Sequence, residues 1–127
     1  MALRILVALV LFLHGFSHMV GVAGAWRLSD KLPYKTTVVG NRIDVGHAGI
    51  KLVGALWMLA AVAFTVAAIA VVGRAPWWPS YAAAVSLASL ALCVVGWPEA
   101  RIGLAINAVL IALLVLATRT GWLAASI

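Results

Sequence analysis

Long apolar runs alternate with short charged punctuation along this chain. Residues 5–26, 52–73, 75–98 and 102–118 contain no Lys, Arg, Asp or Glu. The first run would make a helix about 33 Å long at 1.5 Å per residue. That is enough to cross a bilayer core roughly 30 Å thick, and the other three runs are near the same spanning length. The pattern predicts four transmembrane helices over residues 3–26, 46–73, 76–97 and 99–119, with a polar loop at 27–45. The second and third connections are short, so the helices they join are expected to pack as antiparallel neighbours. The expected fold class is all-α: a polytopic membrane protein, an antiparallel four-transmembrane-helix bundle with a long first loop. By length, residues 1–127 form a single membrane domain.

The run ends carry their own signals. Pro76 and Pro79 stand where a helix start tolerates proline, because its first N–H groups lack partners anyway. Trp97-Pro98 stops the third helix, and Glu99 is expected in the first turn of the fourth, near its positive dipole end. Trp26, Trp77, Trp78, Trp97 and Trp122 fall at boundaries and are expected to form aromatic belts, whereas Trp57 is interior. Loop one differs from the other connections. Residues 34–39 followed by Gly40-Asn41 have strand and turn character, and a connection this long is often functional, here a cap or lid over the bundle. Packing is expected to rest on small residues, which let backbones approach in lipid. These are Gly15, Gly21 and Gly24 in helix one, Gly46, Gly49 and Gly54 in helix two, Ala82, Ser86 and Ser89 in helix three, and Gly103 and Ala108 in helix four.

Composition narrows the picture. The chain is 66% hydrophobic and 9% charged, with a mean hydropathy of +1.17, which excludes an ordinary soluble domain. Its formal charge of +6 is spread over helix ends, where Lys and Arg snorkel, and forms no patch for nucleic acid. The single cysteine, Cys93, can make no intrachain disulfide. With no CxxC pair, quinone-reducing four-helix enzymes that rely on paired thiols are excluded. Arg4, the apolar stretch after it and Ala23-Gly24-Ala25 imitate a cleavable signal peptide. His14 and His18 are out of place in such a segment, so the run is expected to stay as a transmembrane helix. Arg27, Lys31, Lys35, Arg42 and Arg101, with Lys51 just inside helix two, outnumber Arg4, Arg74 and Arg119. The positive-inside rule therefore puts loops one and three in the cytoplasm.

Candidate chemistry is lopsided. His14 falls near the bilayer midplane and His18 one turn further on the same face, and polar groups at that depth usually face the protein interior or a wet cavity. Asp30, Asp44, His47, Lys51, Glu99 and Arg101 share the end of the bundle formed by loops one and three, with Asn107 under two turns inside helix four. Each has an ordinary structural explanation. His14, His18 and Asn107 can be interhelical hydrogen bonders, Asp44 the N-cap of helix two, Glu99 a first-turn acid, and Lys51 and Arg101 snorkelling cations. Three sharper readings use them together. In the first, the cluster binds a lipophilic molecule with a polar head, quinone- or lipid-like, through His14, His18, Lys51, Trp57, Arg101 and Asn107. In the second, His18, His47, Asp44 and Glu99 do acid–base chemistry on such a substrate, with Asp44–His47 and His18–Glu99 as pairs. In the third, haem b sits between His14 or His18 and His47, which requires both rings at one depth. Zinc on His18, His47 and an acid has no HExxH or comparable spacing behind it, so no metal ligand is assigned.

The opening Arg4-Ile5-Leu6-Val7, then Phe12-Leu13-His14-Gly15, a polar loop and three further helices resemble the DoxX-like group of small bacterial four-helix membrane proteins. The HGxxHxxG segment, here His14-Gly15-Phe16-Ser17-His18-Met19-Val20-Gly21, is similar to the first helix of a broader set of bacterial membrane proteins. There a Trp–acid–Ala–basic turn before helix four resembles Trp97-Pro98-Glu99-Ala100-Arg101. The resemblance spans the whole layout and about twenty residues of motif. It implies a bacterial inner-membrane location and an accessory role beside a membrane oxidoreductase complex. This chain departs from the DoxX-like pattern in its second histidine and in lacking an acid at the start of helix two. The expected function is binding of a lipophilic small molecule at the loop-one end, with the bilayer and a membrane complex as partners. The alternatives are a small intramembrane isomerase or hydrolase, or a scaffold without a site.

Overall fold

A computed structural model of the chain describes residues 1–122. Four stretches are helical, long and apolar enough to cross a membrane: Ala2–Ala25, Gly46–Val72, Trp78–Val95 and Arg101–Arg119. Among the described residues the regular structure is helical apart from one small sheet, and the four spans make this an integral membrane protein.

The first span is broken into α1 (Ala2–Ser17) and α2 (Met19–Ala25) at His18. The cause is local competition for one carbonyl. The His14 carbonyl accepts from Ser17 Oγ at 2.6 Å and from His18 Nδ1 at 2.9 Å. The His18 N–H turns instead to the Gly15 carbonyl, three residues back. Side chains that capture an i−4 or i−3 carbonyl tighten or bend a helix in this way. The remaining spans are α3 (Gly46–Val72), α4 (Trp78–Val95) and α5 (Arg101–Arg119).

Between α2 and α3 lies a two-stranded antiparallel sheet, β1 (Thr37–Val38) with β2 (Ile43–Asp44), in the register Thr37 opposite Asp44. Its turn passes through left-handed backbone at Val39, Gly40 and Asn41. A β-branched residue there is costly, and Val39 is held by a bond from its N–H to the Val95 carbonyl at 2.8 Å. Gly40 N–H donates to the Trp97 carbonyl at 2.9 Å. The hairpin thus satisfies carbonyls at the end of α4 that a helix leaves without partners, and fixes loop one across the end of the bundle.

The helix ends depart from the sequence expectation in instructive ways. α5 begins at Arg101, so Glu99 lies outside its first turn and is free to pair elsewhere. Asp44 precedes Val45, the N-cap of α3, yet its Oδ1 still accepts the Gly46 N–H at 2.9 Å. Trp78, expected in a belt, is buried in the core. Ala108 is exposed on α5 instead of packing.

Glycines set where the helices meet. A Cβ at Gly15 would stand 2.5 Å from Phe64 Cβ, and one at Gly21 would stand 2.7 Å from the Trp57 ring. Gly54 leaves room in the same way for the Trp26 indole, whose Nε1–H donates to the Lys51 carbonyl at 3.0 Å. Large aromatic rings seated on glycine draw the first span onto α3, as small-residue packing in lipid requires. α3 also packs on α4, and α4 on α5. An apolar cluster including Leu11, Phe64, Val71, Trp78, Ala82 and Leu114 fills the half of the bundle away from loop one.

Candidate functional site

Polar groups occupy the other half. Asn107 of α5 is fully buried and is the hub. Its Nδ2 donates to Ser89 Oγ at 2.8 Å and to the Gly103 carbonyl at 3.0 Å, with Cys93 Sγ at 3.6 Å. Its Oδ1 lies 3.1 Å from His14 Nε2. Since Oδ1 can only accept, the network assigns the proton of neutral His14 to Nε2. His18 takes the opposite tautomer. Its Nδ1–H donates to the His14 carbonyl, so Nε2 accepts from the Ser89 hydroxyl at 2.6 Å. A continuous chain of donors and acceptors therefore joins α5, α4 and the break between α1 and α2. α3 contributes walls instead of bonds. Phe64 stands edge-on to His14 at 4.9 Å, and Trp57 edge-on to His18 at 5.2 Å. His14 Nδ1 and Ser86 Oγ, both buried, have no hydrogen-bond partner among the described residues.

Above this network lies a cavity of about 480 Å³. Its inner end is formed by His18 and Cys93, its walls by Gly21, Val53, Trp57 and Ile106, and its roof by Leu32, Pro33, Thr37 and Val38 of loop one. Lys35 and Glu99 stand at the rim and form an ion pair of 2.7 Å between loop one and the turn before α5. The Lys35 ammonium, by hydrogen bonding the Glu99 carboxylate, holds its pKa below the ordinary 4.5. Asp44 is likewise held below its ordinary 3.8, first by the Gly46 N–H and then by the Thr36 side chain.

The residues singled out in the sequence separate into two groups. His14, His18, Trp57 and Asn107 converge, and His18 and Glu99 line one cavity without touching. His47 is instead bound at Nδ1 by the Tyr34 hydroxyl at 2.6 Å, and Arg27 lies over the Tyr34 ring. This ties loop one to the start of α3, and neither His47 nor Asp44 lines the cavity that His18 and Glu99 share. Haem would need His47 opposed to His14 or His18, but the His47 ring stacks on Tyr34 in loop one, while His14 Nε2 and both His18 nitrogens bond protein partners. Lys51 and Arg101 are exposed and line no part of the cavity. No cluster of three His, Cys, Asp or Glu residues suited to a metal ion occurs among the described residues. Sequence reasoning missed Ser89 and Lys35 as site members. In the sequence Ser89 reads as a packing residue, and Lys35 as one charge among several in loop one.

The chain matches no family model, no curated protein and no solved structure.

Proposed function

We propose that this chain is a bacterial inner-membrane protein whose spans pack as an antiparallel bundle around a binding site for one lipophilic molecule with a polar head, quinone- or lipid-like. The observation that carries the reading is the half-enclosed cavity at the loop-one end. Its walls are apolar, His18 and Cys93 close its inner end, and the Lys35–Glu99 pair sits at its rim. A volume of about 480 Å³ lies in the range of small-molecule sites, which are mostly apolar with a few placed polar groups. The Lys and Arg count supports loops one and three facing the cytoplasm. The DoxX-like layout supports a place beside a membrane oxidoreductase. Trp57 forms part of the cavity wall, so a short-chain benzoquinone titrated into purified protein should quench tryptophan fluorescence saturably, at one site per chain. His18→Ala should weaken that binding at least tenfold. Quenching that rises linearly without saturation, or is unchanged in His18→Ala, contradicts the proposal and leaves a scaffold.

One contact favours a second reading, an intramembrane acid–base enzyme. The Ser89 hydroxyl donates to His18 Nε2 while the His14 carbonyl orients the ring from Nδ1, which is how a base is set against a hydroxyl nucleophile. Ser89→Ala separates the two. An enzyme working through Ser89 loses turnover with affinity kept, whereas a binding protein keeps its affinity and has no turnover to lose.

A further inference from the structure

We infer that the cavity is reached sideways from the bilayer, through a slot between α2 and α5, and that its occupant is a single-tailed membrane amphiphile delivered from the lipid phase. The inference rests on the binding reading above and adds the route and the shape of the ligand.

Three observations carry it. First, the helices form a row in which the first span packs on α3, α3 on α4 and α4 on α5, while α5 makes no comparably close approach to α1 or α2. Between α1 and α5 one side-chain bond, His14 to Asn107, spans the gap. Second, residues from both sides of this open seam line the cavity while also facing outward. Val20 on α2 is 61% exposed, and Ile102 and Ile106 on α5 are 69% and 38% exposed. In a membrane-spanning segment such surface meets acyl chains and not water. Third, loop one is tied down over the cavity at several points. Loop one is fastened to the end of α4 by the Val39 and Gly40 N–H bonds, to the turn before α5 by Lys35–Glu99, and to α3 through Tyr34–His47. An apolar tail can lie along the slot beside Val20 and Ile106 while the head group sits under loop one, near His18 and the Lys35–Glu99 pair. The volume of about 480 Å³ suits one drug-sized ligand, a head group with a single tail.

Cys93, the only cysteine in the chain, lines the inner end of the cavity and reports on access without knowledge of the natural ligand. Whole protein in phosphatidylcholine–phosphatidylglycerol nanodiscs is treated with dodecyl maleimide or a sulfonated, membrane-impermeant maleimide. Labelling of Cys93 is followed by intact mass. The inference expects the dodecyl reagent to react at least tenfold faster, and Ile106→Trp to slow it by a similar factor. Equal or faster reaction of the sulfonated reagent would show access from water and overturn the lateral route while leaving the cavity intact. Fast dodecyl labelling unaffected by Ile106→Trp would overturn the slot as the path. If neither reagent reacts until the protein is unfolded in SDS, the lateral route is overturned, while the binding site is judged separately by the benzoquinone titration.

Discussion

Asn107 shows how one side chain can organise a bundle from inside. It is fully buried and meets His14, Ser89, Cys93 and the Gly103 carbonyl. Replacing it with Leu strands the His14 Nε2–H in an apolar setting, where an unsatisfied buried group costs about 1–3 kcal/mol. We expect Asn107→Leu to lower stability by about that amount in detergent unfolding, despite the gain in apolar area. Gly21→Ala tests the packing beneath. Its new Cβ would sit 2.7 Å from the Trp57 ring, and overpacking of this kind costs about 1–3 kcal/mol. Thermal unfolding should show that loss, and the saturable quinone quenching should weaken with it because Trp57 moves. Asn107 was legible in the sequence as the amide inside the fourth apolar run, and His14 and His18 as imidazoles inside the first. Ser89 was not, because a serine in a membrane helix can satisfy itself on its own i−4 carbonyl. Nothing in its neighbours distinguishes that from a bond to His18.

At the scale of elements, loop one is a lid clamped by complementary backbone and charge contacts. Its strand-and-turn character was visible in residues 34–41, since alternation and Gly-Asn are local signals. Its fastening was not, because Lys35 and Glu99 are far apart in sequence and Val39 bonds an α4 carbonyl. The clamp has a pH dependence of definite sign. Lys35 depresses the pKa of Glu99, so the pair's contribution is complete above the ordinary 4.5 and is lost as pH falls through the lower folded value. Glu99 is exposed over half its side chain, so the effect is local and should leave global stability nearly unchanged. Hydrogen exchange at Val39 and Gly40, corrected for intrinsic rates, should therefore accelerate below about pH 4.5. Glu99→Gln should show the same acceleration at neutral pH. Protection that is equal in both proteins at pH 7 would show that the backbone bonds alone hold the lid.

On the scale of the whole molecule, the division is between an apolar half and a polar half with a cavity. Four spans were readable because spanning length and freedom from charge are properties of each segment alone. The gathering of polar groups at one end followed from counting segments. That the helices joined by short turns touch followed as well; which face of each helix meets its neighbour did not, because hydropathy says that a face meets something apolar without saying whether it is lipid or protein. Lys51 and Arg101 were placed in the site for that reason, and the structure puts both outside it. The account stands or falls on whether the cavity holds a lipophile. Gly24 offers a clean way to close it: it lines the cavity, and an added Cβ would meet only the Pro33 carbonyl at 3.8 Å, so a leucine there extends into free volume without a backbone clash. Native mass spectrometry of wild-type and Gly24→Leu protein, extracted gently from the same membranes, is the direct measurement. The account predicts one retained lipophilic molecule per wild-type chain and none on an equally stable Gly24→Leu. Equal retention by both proteins, or none by either, would contradict it.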